Sequence, residues 1–409
     1  MSGWLERAPR IALGVLVCAG AASCGGDNLG ASTGPSTGPV PAANNVVSVS
    51  VSSGPNDDSI NVLYTTVTVC LPGTSTCQTI DNVQVDTGSY GLRLLAPVLT
   101  LTFPVATTGS GAALLECTSF VDGYSWGPVV LADVQVSGES ASSVPVQIIG
   151  DSRYPTVPAN CSSSAPTSED TVATFGANGI IGIGPFAQDC GSFCASSIPD
   201  PAVYYACTTE ADCTATTVPV ANQVPNPVTL FTTDNNGTII SLSAVPTAGA
   251  ASVSGSLIFG IDTESNNASG TETVIPIATS GADAGYLTTI FNGQTLTNSF
   301  IDSGSNGYFF NDTSITQCTQ SGFEYFYCPS GTVSLTGEMQ PTSGTATINF
   351  TVGDAEQINA AYFAYPALGG TNPAADSFDW GLPFFFGQRV ATAIEGYTTS
   401  VGTGPYIAF

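Results

Sequence analysis

Apolar and polar residues alternate along most of the chain from residue 46 onward. VVSVSVSS (46–53), INVLYTTVTVCL (60–71) and DNVQVDTGS (81–89) carry this period of two and are rich in β-branched residues, the pattern of strands packed on one face. FVDGYSWGPVVLADVQVSG, from residue 120, reads as a hairpin with a Gly-containing turn, and SVPVQIIGD (143–151) as a further strand. GANGIIGIGPF (176–186) is an apolar run with glycines spaced through it, which predicts a buried strand closely approached by another backbone. A short helix is expected near VPVANQVPNPVTLF (218–231) and a strand over TIISLSAV (238–245). The plan then recurs in SLIFGID (256–262), TVIPIA (273–278), FYCPSGTVSL (326–335), TATINFTV (345–352), DWGLPFFFGQRVATAIEG (379–396) and YIAF (406–409). No long amphipathic helix with convincing caps interrupts it. The chain thus reads as all-β with a few short helices, in two halves, 46–245 and 246–409, joined near PTAGAASVSG (246–255).

Two short stretches break the alternation in the same way. VDTGS (85–89) follows the apolar segment NVQVD and leads into GLRLL (91–95); IDSGS (301–305) follows NSFID and leads into GYFF (307–310). Each sets an acid at a strand end, before a glycine able to turn the chain tightly. Either motif alone is an ordinary turn sequence. Two copies in matching contexts predict a coupled pair, Asp86 and Asp302, able to share one proton because adjacent like charges resist ionising together.

Composition narrows the chemistry. The 409 residues include 45 Gly and 27 Pro, with 43% hydrophobic and only 9% charged residues, as in a turn-rich β protein. There is no His and no Lys. Ser-His-Asp and Cys-His units, His-ligated metals and Schiff-base lysines are therefore excluded, and acid–base work falls to carboxylates, Tyr or Cys. A formal charge of −26 repels nucleic acid and offers no phosphate-binding cluster. No metal site is expected, since the C-x3-C pair Cys190/Cys194 has no second pair at comparable spacing.

Residues 1–24 read as a lipoprotein-type export signal: Arg7 and Arg10 precede the apolar run 11–23, which ends in small residues before Cys24. Cys24 is the expected lipidation site, with plain secretion as the alternative. Residues 25–45 form a flexible Gly/Ser/Thr/Pro linker. Localisation in a bacterial cell envelope follows, with the lipid anchor as the only membrane contact. Ten cysteines remain beyond Cys24, an even number that in an exported chain points to disulfides. Four close pairs (70/77, 190/194, 207/213 and 318/328) could each staple a local loop, leaving Cys117 with Cys161, although other connectivities remain open.

From about residue 60 to the C-terminus the chain resembles the bilobal pepsin-like aspartic peptidases, and bacterial lipoproteins of uncharacterised function that carry the same paired motif. The resemblance rests on both acid motifs and on GIIGIG (179–184) and, more loosely, WGLPFFFG (380–387), which match the family's elements threading beside each acid loop. GSLIFGID (255–262), TIFNGQTLTNSFIDSGS (289–305) and VGTGPYIAF (401–409) extend it. It implies a bilobal fold with the catalytic pair Asp86 and Asp302 between lobes, acting through a bound water on a peptide or protein substrate, without a cofactor and as a monomer. It further implies that Thr87 and Ser303 brace the two loops, and that Ser89 and Ser305 hydrogen-bond the carboxylates, with Gly88 and Gly304 completing the turns.

Two positions depart from the family. Arg93 stands where its members carry Trp, and Phe120 aligns best with the Tyr of their flap hairpin, with Tyr124 the nearest substitute. By period-two alternation Arg93 faces away from Leu92 and Leu94. It would then be solvated, pair with a structural acid, or lie under the flap at the cleft rim, where it could bind a substrate carboxylate. These departures keep open a second reading, a catalytically inactive binding or adhesion lipoprotein that retains the fold. Tyr90, Tyr124, Trp126 and Tyr308 are the aromatic residues that could line such a cleft.

Overall fold

The computed structural model describes residues 44–165, 167–279, 284–341 and 343–409. The export signal with Cys24, and the linker up to residue 43, lie outside the described residues. The protein is mostly β, with 40% strand and 9% helix. Among the described residues no α-helix exceeds the six residues of Gly191–Ser196, and none is long and apolar enough to cross a membrane.

The first half supplies β1 (Val46–Val51), β2 (Leu63–Cys70), β3 (Cys77–Asp86), β4 (Tyr90–Leu95), β5 (Ala113–Ser119), β6 (Tyr124–Val136) and β7 (Glu139–Ile149). It continues with β8 (Gly179–Ile183), β9 (Tyr204–Cys207), β10 (Cys213–Ala215) and β11 (Gly237–Leu242). The second half adds β12 (Val253–Phe259), β13 (Val274–Pro276), β14 (Leu287–Phe291), β15 (Gln294–Ile301), β16 (Tyr308–Phe309), β17 (Val333–Met339) and β18 (Ala346–Val352). Then come β19 (Gly369–Gly370), β20 (Asp379–Trp380), β21 (Arg389–Ala393), the small hairpin β22 (Thr398–Thr399) with β23 (Gly402–Thr403), and β24 (Tyr406–Ala408).

Fifteen of these strands form one sheet in the order β10-β9-β5-β6-β7-β4-β8-β3-β2-β1-β12-β11-β21-β24-β13, and seven form another, β18-β17-β14-β15-β20-β16-β19. The connection over 243–252 joins β11 to its antiparallel neighbour β12.

One strand pattern occurs twice. In the first half β8 runs parallel to β3 and antiparallel to β4, so it threads between the two arms of the chain that Asp86 joins. β4 in turn pairs in parallel with β7. In the second half β20 lies parallel to β15 and antiparallel to β16, the arms joined through Asp302, and β16 pairs in parallel with β19. Glycine makes both threadings possible. A Cβ on Gly182 would lie 2.4 Å from the Tyr90 nitrogen, and one on Gly381 would lie 2.1 Å from the Gly307 carbonyl oxygen. No side chain fits at such distances.

The main core is continuous through both halves, joining Val51, Leu63, Val85 and Ile181 to Leu257, Phe310, Phe378 and Trp380. Phe378 stacks on Trp380 at 4.1 Å and on Phe310 at 4.9 Å. Burial of one such phenylalanine stabilises by about 1.5–3 kcal/mol. Among the described residues five disulfides form: Cys70–Cys77, Cys117–Cys161, Cys190–Cys194, Cys207–Cys213 and Cys318–Cys328. They agree with the close-pair assignment and mark a protein of an oxidising, extracellular or periplasmic setting.

One local expectation is corrected. Residues 124–136 are one continuous strand, with the turns on either side of it at 120–123 and at 137–138. Gly127 lies within the strand, where a Cβ would collide with the Ile148 carbonyl oxygen on β7. The short helix expected near 218–231 is present as two 3-10 helices, Val220–Asn222 and Pro227–Leu230, kept short because Pro219, Pro225 and Pro227 withhold backbone donors from a longer one.

Candidate active site

β3 ends at Asp86 and β15 ends one residue before Asp302, and both acids are buried, with exposures of 1% and 2%. Each carboxylate is held by its own turn. Asp86 Oδ1 accepts the Gly88 N–H at 2.7 Å and Oδ2 the Ser89 hydroxyl at 2.5 Å. Asp302 repeats this with the Gly304 N–H at 2.7 Å and the Ser305 hydroxyl at 2.8 Å. Hydrogen bonds donated to a carboxylate favour its charged form.

The two loops interlock. The Thr87 N–H donates to Ser303 Oγ at 3.0 Å, and the Ser303 N–H donates to Thr87 Oγ1 at 2.9 Å. Each hydroxyl then donates across to the opposite strand, Thr87 to the Ile301 carbonyl at 3.2 Å and Ser303 to the Val85 carbonyl at 2.9 Å. Gln84 Nε2 adds a bond to the Gly304 carbonyl at 3.0 Å.

Glycine lets the carboxylates meet. A Cβ on Gly88 would lie 2.5 Å from Asp302 Oδ1, and one on Gly304 would lie 2.4 Å from Asp86 Oδ1 and 3.0 Å from Asp302 Oδ1. Both Oδ1 atoms therefore flank a single point, and the two acids face one another across the paired turns. Tyr90 follows the first turn and packs edge-on against Phe186 at 5.7 Å. Burial, then the charges of Asp86 and Glu395, the neighbouring Tyr286 and Asp302, push its phenol well above the ordinary value.

The remaining candidates differ in exposure. Trp126 and Tyr308 are core residues, at 4% and 5% exposure, while Tyr90 and Tyr124 are half-buried. Phe120 is buried edge-on against Phe175 at 6.2 Å. Arg93 is neither solvated nor at a rim: it is 1% exposed. β4 is covered on both faces, so alternation did not predict its environment.

The Arg93 guanidinium is fully engaged, with Nε donating to Thr118 Oγ1 at 2.9 Å, Nη1 to the Tyr90 carbonyl, and Nη2 to Glu116 Oε1 at 2.5 Å. Asp189 Oδ2 stands 3.5 Å from Nη2. No free fork remains for a substrate carboxylate.

Sequence reasoning missed Glu116, Asp189 and Tyr204, which surround Arg93, and Asn61, whose side chain bonds the Asn306 and Tyr365 carbonyls and the Tyr365 N–H, each at 2.7 Å. One signal was available. Arg93 and Glu116 are lone charges inside apolar strands, and such charges must find partners. Among the described residues one cluster has metal-ligand spacing, Cys318, Cys328 and Glu356. Its two cysteines are a disulfide, and Glu356 Oε1 already accepts the Thr319 and Gln320 N–H groups.

These features define a disulfide-bonded, mainly-β protein in which a twice-used strand motif sets two buried carboxyl groups face to face. Residues 41–409 match DUF3443, described as a protein of unknown function, and the chain belongs to that family. It matches no curated protein.

Proposed function

We propose that the protein is an aspartic endopeptidase of pepsin-like, bilobal architecture, exported to the bacterial envelope and held there by a lipid on Cys24. The observation that carries this reading is the reciprocal arrangement of the two Asp-Thr/Ser-Gly turns, with each glycine against the other turn's carboxylate. The repeated threading of β8 and β20 through the two acid-bearing arms supports it.

One carboxylate of the pair, ionised, takes a proton from a bound water as its oxygen attacks the scissile carbonyl. The other, protonated, donates to the carbonyl oxygen. Collapse of the tetrahedral intermediate breaks the C–N bond, and the departing nitrogen takes the proton now held by the first carboxylate. Ser89 and Ser305 each hold one carboxylate oxygen, and the Thr87–Ser303 exchange keeps the turns from separating.

A second reading, a binding protein that keeps the paired acids, is favoured by one observation. Phe120 lacks the phenol hydroxyl of the family's flap residue and lies buried against Phe175. A single experiment separates the two readings. The exported, disulfide-bonded chain is incubated with a mixed peptide library from pH 3 to 7, and products are read by mass spectrometry. Cleavage that falls by about 10²–10⁴-fold in Asp86→Asn and in Asp302→Asn supports the peptidase. Equal cleavage by parent and variants overturns it. A parent that cleaves nothing yet retains peptides through the same two acids establishes the binding protein.

A further inference from the structure

Arg93 anchors a buried ionic cluster that the proposed chemistry does not use. Its guanidinium, on β4, meets Glu116 of β5 at 2.5 Å and Asp189 of the 184–190 loop at 3.5 Å. The Tyr204 hydroxyl, on β9, lies 2.8 and 2.7 Å from the two Asp189 oxygens and accepts the Val224 N–H at 2.8 Å. Glu116 is fully buried, and its Oε2 has no hydrogen-bond partner.

Charge does not balance here. Two carboxylates face one guanidinium, and the other two arginines of the described residues are taken by Asp151 and Glu272. An uncompensated charge in a dry interior is strongly unfavourable. One proton on the two acids removes it and gives the orphaned Glu116 oxygen a hydrogen bond to Asp189. In keeping with this, burial and then the Glu116 charge and hydrogen bond raise the Asp189 carboxyl well above its ordinary value, against the opposing pull of Arg93 and Tyr204.

The cluster also touches the first acid turn. Arg93 Nη1 bonds the Tyr90 carbonyl, and the preceding residue, Ser89, holds Asp86 Oδ2 at 2.5 Å. Gly91 keeps the passage open, since a Cβ there would lie 2.3 Å from Val224 Cγ1 and 3.2 Å from Arg93 Nη1.

We propose that Arg93, Glu116 and Asp189 form a positioning unit that holds the Ser89–Asp86 turn, and that the unit works with one proton shared between its two carboxyl groups. Its link to catalysis rests on the peptidase reading; the shared proton and its hold on the turn do not. Loss of that proton leaves a buried negative charge, loosens Arg93 from Tyr90, and lets the turn drift. The sign follows from linkage. A carboxyl whose folded value is raised contributes stability that is complete below its unfolded value and is lost as pH rises through the folded one.

The test uses the exported, disulfide-bonded chain and the variants Asp189→Asn and Glu116→Gln, each of which supplies permanently the neutral partner that the proton creates. Glu272→Gln, at the distant Arg389 pair, is the control. Thermal midpoint and amide hydrogen exchange across residues 86–95 are followed from pH 4 to 9, with kcat and KM for any peptide the parent cleaves.

The parent should lose midpoint and exchange protection with rising pH, while either neutralising variant flattens both losses and the control follows the parent. The alkaline limb of kcat should move up by at least one pH unit in those variants, with KM unchanged. Should one variant fail to fold, the other decides. Parallel midpoint curves in parent and variants overturn the shared proton. A flattened midpoint without altered exchange at 86–95, or without a moved kcat limb, overturns the positioning role. A chain that cleaves nothing removes the peptidase reading, and the exchange measurement then decides this proposal by itself.

Discussion

Thr87 and Ser303, 216 residues apart in sequence, exchange backbone-to-hydroxyl hydrogen bonds of 3.0 and 2.9 Å across the junction of the two halves. Each hydroxyl is acceptor for the other's N–H and donor to a carbonyl of the strand that leads into the other's turn. Removing either leaves buried groups unpaired, which costs about 1–3 kcal/mol. Thr87→Val and Ser303→Ala should therefore each lower unfolding stability by that amount in urea titrations. Both singles break the same lattice, so the double variant should lose less than their sum. Strict additivity would show that the two hydroxyls act independently.

Gly304 is set by crowding alone. Its backbone is not in the left-handed region, yet a Cβ would lie 2.4 Å from Asp86 Oδ1. Gly304→Ala must push that carboxylate aside, and displacements of about 1 Å cost on the order of 10²-fold in rate. On the proposed peptidase reading, turnover should fall by that factor while circular dichroism is preserved. Gly331→Ala, with nothing within 4 Å of its Cβ position, should change neither. Unaltered turnover in Gly304→Ala would separate the paired acids from the chemistry.

Stability should improve on mild acidification. Burial, then the charge and hydrogen bond of Asp234 and the charge of Glu264, raise the Glu139 carboxyl to about 7. A raised carboxyl stabilises the fold fully below its unfolded value and loses that contribution as pH climbs through 7, roughly 2 kcal/mol over this range with allowance for solvent screening. Asp262 runs the other way. Burial lifts it, but hydrogen bonds from Ser269 and Ser400 prevail and bring it down to about 2. Its contribution is present above its unfolded value and lost only as pH falls towards 2. With no Lys or His in the chain, protonating the acids also leaves little positive charge to repel itself. The thermal midpoint should rise from pH 8 to pH 5 and hold to near pH 3, and Glu139→Gln should flatten the rise. Cooperative unfolding between pH 5 and 3 contradicts this.

Disulfide removal should rank by loop length. Cys117–Cys161 closes 44 residues and Cys190–Cys194 only 4. Chain entropy assigns these about 4 and about 2 kcal/mol respectively. Paired Cys→Ser variants, compared by urea midpoint, should follow that order. The reverse order would mean that local packing around Cys190 and Cys194 outweighs loop closure.

Some of this architecture follows from short-range pattern alone. Period-two alternation located β1, β2, β3 and β18, because the side-chain period of a strand is a local property, and short apolar runs located β8 and β11. The spaced glycines of 179–184 announced a close backbone approach, and in the fold Gly182 lies against the Tyr90 nitrogen. The repeated acid motifs and the even cysteine number were equally legible, and the absence of His and Lys bounded the chemistry without any structure.

Tertiary structure decided what depends on crossing and register. Residues 124–136 run as one strand because β5 pairs with its first part and β7 with the rest, partners that a local pattern cannot reveal. The buried Arg93–Glu116–Asp189 cluster unites segments 23 and 96 residues from Arg93; no local period encodes that meeting. Alternation placed Arg93 on a face, but whether that face meets water or protein depends on which strands flank β4. The same holds for Asp86 and Asp302. The sequence determined their two turns, and only the threading of β8 and β20 through both pairs of arms sets one carboxylate against the other.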